Sequence, residues 1–256
     1  MNGSTLPPDW IAPDWPAAAG VRAACSGRSG GVSSGPHASL NLGTHVQDDP
    51  ALVNENRRRF AAVLDARPVF LDQVHGRGVV RLDAATRDGI QADACWTTER
   101  RVACTIIVAD CLPVLIADGG GRVAGAAHCG WRGLAGGVLE ALWSAMQPEL
   151  DALPGDAIAW LGPCIGPDAF EVGAEVREAF IAGDPGAAAC FRAVANGKFL
   201  GDLQALARRR LGRMGFSSVD GNDGGAGWCT VANPSRFFSH RRDRLSGRFA
   251  AACWLG

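Results

Sequence analysis

Apolar residues along this 256-residue chain gather into short runs, parted by glycine, proline and polar turns, with helical periodicity in between. The dominant pattern covers 106–133, IIVADCLPVLIADGGGRVAGAAHCGWRG. It reads as an apolar run, a Gly119-Gly120-Gly121 turn, a second apolar run and a glycine-rich exit into a helix. Apolar runs bounded by turn residues predict strands buried on both faces. Three turn glycines allow the positive φ angles of a tight hairpin.

The same reading predicts strands at VRAACSG (21–27), Val69-Phe70-Leu71 running on to Gln73-Val74-His75-Gly76, VVRL (79–82), ADACWTT (92–98), AIAWLG (157–162) and RFAAACWL (248–255). Asp49, as N-cap, and Pro50, at the first helical position, open a helix through 51–66 with Leu52, Phe60, Val63 and Leu64 on one face. Further helices are predicted over 134–146, 175–183 and 202–215, the last capped by Asp202 and ended by Gly215. Residues 1–20 are expected to form an irregular lead-in and 219–230 a turn-rich loop. The stretch 28–46, dense in glycine and serine, is either a flexible loop or a backbone-lined binding loop. Strands and helices mix without a strict βαβ repeat or a linker. The expectation is therefore α+β, a single domain over residues 1–256 with antiparallel pairs.

Composition narrows the function. Hydrophobic content of 47% and charged content of 20% are globular values, and the net charge of −1 offers no field for nucleic acid. No stretch approaches the roughly 18 apolar residues that span a bilayer. The first fifteen residues have neither a basic nor an apolar segment of the secretory kind. Nine cysteines without a CxxC are then expected as reduced thiols of a cytoplasmic protein. Lys198 is the sole lysine, so arginine abundance by itself says little about anion binding.

Two reactive side chains interrupt the central apolar pattern: Cys111, directly after Asp110, and His128, followed by Cys129. At the ends of paired buried strands, a thiol and an imidazole have the placement of a metal site or of a Cys/His nucleophile. An ordinary buried cysteine is the alternative, but an apolar core has no use for Asp110, Trp131 and Arg132. His75, between an apolar strand end and a glycine, reads on its own as a loop residue. The helix start beyond Gly133 offers N–H groups to an anion.

Several separate motifs then resemble one family. They are SLN (39–41), Asn56-Arg57, QVHG (73–76), ADC-x-P (109–113), HCGWRG (128–133), GP-x-IG (162–166), EVG (171–173), CT (229–230), FFSHRRD (237–243) and SGR (246–248). Together they are similar to the YfiH family, also called the laccase-domain or multicopper polyphenol oxidoreductase family and described as purine nucleoside phosphorylases. The resemblance implies mixed, largely antiparallel sheets flanked by helices, as in cytotoxic-necrotizing-factor-like cysteine hydrolases. It implies zinc on His75, Cys111 and His128, phosphorolysis of adenosine, inosine or methylthioadenosine, and deamination of adenosine. The partners are then a small nucleoside and phosphate, with the oligomeric state left open. Two imidazoles and a thiolate suit a catalytic zinc that keeps its fourth position for water, whose pKa it lowers. Asp110 supports the cation or acts as an acid/base. Asn41, Arg57, Arg132, Arg242 and Arg248 lie within the matching motifs and are candidates to bind substrate or phosphate.

Of three rival readings the first is rejected as a physiological role and the third is disfavoured. A copper-dependent phenol oxidase conflicts with five histidines and no H-x-H pair, although copper on the same three ligands is chemically compatible. A metal-free hydrolase, such as an amidase editing cell-wall precursors, would use Cys111 as nucleophile and His128 as base. A non-enzymatic zinc module would need a fourth protein ligand, and Cys129, where the family usually has alanine, is the candidate.

Overall fold

A computed structural model describes residues 6–150 and 156–256. In chain order its elements are β1 (Val21–Cys25), α1 (Pro50–Leu64), β2 (Arg67–Phe70), β3 (Val79–Arg81), β4 (Ala94–Thr97), β5 (Val102–Val108), β6 (Leu112–Asp118), β7 (Ala124–Cys129), α2 (Trp131–Gly136) and α3 (Val138–Met146). There follow β8 (Ala157–Leu161), β9 (Glu171–Val172), α4 (Ala174–Ile181), β10 (Phe191–Ala193), β11 (Phe199–Gly201), α5 (Leu203–Arg213), β12 (Ser218–Gly221), α6 (His240–Asp243) and β13 (Phe249–Leu255). No helix among the described residues is long and apolar enough to cross a membrane.

The strands form a four-stranded sheet in the order β1-β13-β5-β2, a six-stranded sheet β12-β8-β6-β7-β4-β3 and a small sheet β10-β11-β9. Among the described residues every ladder is antiparallel except β2–β5, β3–β4 and β8–β12. The two large sheets lie face to face, because alternate residues of their strands share one core. Val102, Cys104, Ile106 and Val108 of β5 meet Leu115, Ala124, Ala126 and Trp160 from the six-stranded sheet. The opposite face of β5 and β13, with Ala103, Ile107, Ala250, Ala252 and Trp254, packs on Phe60 and Leu64 of α1. The far face of the six-stranded sheet is covered by α3, α4 and α5 through Leu142, Trp143, Phe180 and Leu206. The result is a mixed α/β sandwich of four layers.

The local helix signals hold. Asp49 accepts from the Ala51 N–H, Asp202 from the Ala205 N–H, and Gly215 has the left-handed φ of 90° that ends a helix. The helix expected over 134–146 is instead two, broken at Gly137, whose φ of 92° no continuous helix tolerates. In the hairpin turn only Gly121 has positive φ. The short strands β9 to β12 are absent from the sequence reading, and β12 occupies part of the predicted loop 219–230. Of the lead-in, residues 1–5 lie outside the described residues.

The main correction concerns the apolar run around Cys111. It is not one strand. The chain leaves the four-stranded sheet at Val108 and enters the six-stranded sheet at Leu112, turning through Asp110 at a φ of 90°. The Asp110 carbonyl accepts from the Ile165 N–H at 2.9 Å. Its carboxylate accepts from the Thr230 hydroxyl at 2.5 Å and from the Arg241 N–H at 2.6 Å. Cys111 thus sits where the chain crosses between sheets, at the edge of their shared core.

The glycine- and serine-rich stretch 28–46 is ordered by one buried amide. Asn56 Oδ1 accepts from the Val32 N–H, while Nδ2 donates to Ser33 Oγ and to the carbonyls of Ser39 and Asn41. Asn56→Ala strands this half-buried N–H and these carbonyls. It should lower the free energy of unfolding by about 1–3 kcal/mol, read from urea melts as a shifted midpoint with an unchanged slope.

Candidate metal centre

Three adjacent strands of the six-stranded sheet and one loop build the centre. Cys111 stands immediately before β6, and His128 is the second-last residue of β7, paired with Pro113. His75 reaches in from the loop between β2 and β3 with a left-handed φ of 61°. The three ligand atoms lie within 4.8 Å of one another, with Cys111 Sγ 3.7 Å from His75 Nε2. The two imidazoles meet edge to face at 4.7 Å. Glycine is required at 130, because a Cβ there would lie 2.9 Å from His75 Cδ2 and 3.0 Å from Cys111 Sγ. A Cβ on Gly133 would come within 2.7 Å of the Gly76 carbonyl. The glycines of HCGWRG therefore let the 73–76 loop close onto β7.

Asp93, at the entry to β4 and fully buried, holds the arrangement. It accepts from the N–H groups of Val74, His75 and Gly76 and from His128 Nδ1, the last at 2.8 Å. With Nδ1 committed, His128 presents Nε2 to the centre, the orientation that metal-bound histidines share. Burial would raise the Asp93 pKa, but these donors outweigh it and hold the carboxylate below its usual range. Burial likewise pushes the Cys111 thiol up. The charge of His128 and hydrogen bonds from both histidines prevail, bringing it from 9.0 down to about 6. For His128, burial disfavours the cation, yet the Cys111 thiolate and Asp93 raise it from 6.5 to about 9. Each group thus favours the charged form of the other, which directs the metal-free pair towards thiolate and imidazolium. The donor set, one soft thiolate and two imidazoles, fits zinc or copper and is the single such cluster among the described residues.

Cys129 lies on the other side of the sheet. Successive strand residues alternate faces, so His128 faces the centre while Cys129 is buried against the helices, where burial holds its thiol protonated. It cannot be the fourth ligand imagined for a structural zinc module.

The centre opens into a cleft of about 380 Å³ whose walls include His45, Gln73, Trp131, Phe170, His240 and Arg248. Arg248 is the only one of the sequence-selected arginines among the cleft residues. Its Nη1 donates to the carbonyls of Ser246 and Gly247, and Cys111 and Asp110 are the anions nearest in effect. Asn41 is fully buried and does not line the cleft; its Oδ1 accepts from the Arg248 N–H and so places that residue. Arg57 stacks on Phe70 and pairs with Asp88, and Arg132 lies over Trp131 at 4.4 Å. Arg242 spends its fork on Asp243 and on the carbonyls of Thr230 and Phe237. Its neighbour Arg241 reaches the cleft instead. Asp110 lines the cleft with both carboxylate oxygens engaged by Thr230 and Arg241. Sequence reasoning missed Asp93, His45, His240, Arg241 and Phe170. His45 and His240 carried a signal as two of five histidines, and His240 and Arg241 lie inside the FFSHRRD motif; Asp93 and Phe170 carried none.

Fold and centre together define a mixed α/β protein with a His–Cys–His site sunk at the meeting of two sheets. The chain belongs to the multicopper polyphenol oxidoreductase laccase family, whose model matches residues 22–256. It is 51% identical over 248 residues to a purine nucleoside phosphorylase of Pseudomonas aeruginosa, covering 96% of this chain and 98% of that one. The purine nucleoside phosphorylase YfiH of Escherichia coli is 46% identical over the same shares. Among solved structures, Neisseria meningitidis protein NMB0706 superposes with a TM-score of 0.91 at 44% identity, covering 96% of this chain and 99% of that one. YlmD from Geobacillus stearothermophilus gives 0.89 at 32% identity, covering 96% of each.

Metal analysis of the purified protein should find about one ion per chain. His75→Ala, Cys111→Ala and His128→Ala should each lose it and Cys129→Ala retain it; full occupancy in Cys111→Ala would refute this ligand set. In the metal-free protein, alkylation of Cys111 should rise through a pH of about 6 instead of 9.0, because a depressed pKa leaves thiolate above it and thiol below. Adding metal should slow the reaction sharply, since a bound thiolate is blunted, and release the His128 proton. Fast alkylation of the metal-loaded protein would argue for a free nucleophile.

Proposed function

We propose that this chain is a cytoplasmic, single-domain purine nucleoside enzyme. It phosphorolyses adenosine, inosine or methylthioadenosine and deaminates adenosine, with zinc on His75, Cys111 and His128. The observation that carries the reading is that one cleft joins the cluster to the guanidinium of Arg248, whose hydrogen bonds among the described residues go to the carbonyls of Ser246 and Gly247. Supporting it, relatives matched over nearly their whole length are named purine nucleoside phosphorylase.

When bound, zinc supplies Lewis acidity at the cluster. The residues of this chain do the rest. Asp93 fixes the His128 ring and the His75 loop, and Trp131 and Phe170 offer faces on which a purine stacks. Arg248 receives phosphate and directs an oxygen towards the ribose C1′. As the new C–O bond forms, the bond from C1′ to the base breaks, and its electron pair leaves with the purine. Deamination engages the purine C6, remote from C1′, so the cluster and the phosphate site act on different parts of one substrate.

A second reading has its own observation. Cys111, His128 and Asp93 stand as thiolate, imidazolium and carboxylate, the order of a Cys/His hydrolase triad. A covalent adduct on Cys111 trapped during turnover would favour it.

Incubating the protein with adenosine, with and without phosphate, and identifying products by mass separates these activities. Arg248→Ala should weaken phosphorolysis by about 2–4 kcal/mol in kcat/KM for phosphate, as for a lost electrostatic donor, while deamination to inosine persists. Wild-type phosphorolysis by this variant at limiting phosphate would place the anion site elsewhere. Loss of both activities in a folded variant would refute the division of labour.

A further inference from the structure

The four-residue helix α6 carries an imidazole that none of the chemistry above employs. Its neighbours are engaged structurally: the Arg241 N–H donates to Asp110, Arg241 Nη1 donates to the carbonyls of Ala169 and Glu171, and the Arg242 fork is held by Asp243. The His240 ring is exposed and lines the cleft. Its Nδ1 lies 2.6 Å from the Arg244 carbonyl, presented by a residue whose φ of 61° and ψ of −69° lie outside the common regions. A carbonyl only accepts, so Nδ1 carries a proton in either charge state and Nε2 alone remains for chemistry. Asp110 ties this helix to the turn that bears Cys111.

We propose that His240 is a catalytic acid for base release, an assignment that rests on the phosphorolysis reading and on the placing of the purine C6 at the cluster in the proposed function. N7 and C6 share one edge of a purine, so a donor to N7 belongs at the end of the cleft where the cluster addresses C6. The tether through Asp110 puts α6 beside the Cys111 turn, and Phe170, 6.0 Å from the Arg241 guanidinium, gives the stacking face next to it. As the bond from C1′ to N9 breaks, its electron pair passes into the purine, and the Nε2 proton of the imidazolium moves to N7. The purine leaves neutral, phosphate oxygen is bonded to C1′, and the neutral imidazole regains its proton from solvent.

The test compares two leaving groups. Inosine needs a proton at N7; 7-methylguanosine, already methylated and cationic there, leaves without one. His240→Asn keeps an amide able to donate to the Arg244 carbonyl but offers nothing where Nε2 was, and His240→Ala removes both. Each variant is first checked for wild-type melting and metal content. His240→Asn should slow inosine phosphorolysis by about 100-fold or more, the usual weight of a general acid, and leave 7-methylguanosine within about threefold of wild type. Equal slowing of both nucleosides, or no slowing of either, overturns the proposal. A wild-type protein that releases no base from either nucleoside with phosphate overturns the phosphorolysis reading, and the role of His240 falls with it.

Discussion

A carboxylate removed from water stays charged only if the protein surrounds it with donors. Asp93 meets that demand with three consecutive N–H groups of the 74–76 loop and one imidazole N–H. Because the donors come from two distant segments, satisfying Asp93 brings His75 and His128 together. The left-handed φ of His75, unfavourable for a residue with a Cβ, is held by this bonding and by the glycines at 130 and 133, which leave room for the loop. The ligand set exists because one buried charge must be satisfied.

Asp110 does a similar service on the other side of Cys111. Its carboxylate fastens Thr230 and the first turn of α6 to the point where the chain changes sheets. The third ligand, the helix with His240 and Arg241, and the wall made by Ile165 thus share one anchor. A core protein turn would have no need of these bonds. Here they fix several cleft residues relative to the thiolate, so a disturbance at Asp110 reaches the whole site at once.

The arginines show how charge is sorted by packing. The motifs offer Arg57, Arg132, Arg242 and Arg248, with Arg248 of the final SGR motif the first choice and Arg57 the next. In the fold Arg57 and Arg132 stack on aromatic rings, Arg242 binds its own carboxylate neighbour and backbone carbonyls, and Arg248 is left in the cleft with no carboxylate partner among the described residues. A guanidinium already satisfied has little to offer a phosphate, whereas one facing a cleft does.

Elements governed by local chemistry were legible in the sequence. Caps at Asp49 and Asp202, the stop at Gly215 and the apolar runs that became β5, β6, β7, β8 and β13 all depend on residues within a few positions of each other. So did the candidate thiolate and imidazole, since a Cys and a His interrupting buried strands stand out by type, and the family resemblance added His75. What the sequence could not decide depended on contacts between distant segments. An apolar run from 106 to 118 does not say that it serves two sheets, because both cores accept the same side chains. An aspartate in ADACWTT gives no sign that it will meet His128 across a strand pair. The alternation that turns Cys129 away from His128 is implicit in any strand, yet which face holds the metal was settled only when β6, β7 and the 73–76 loop packed together.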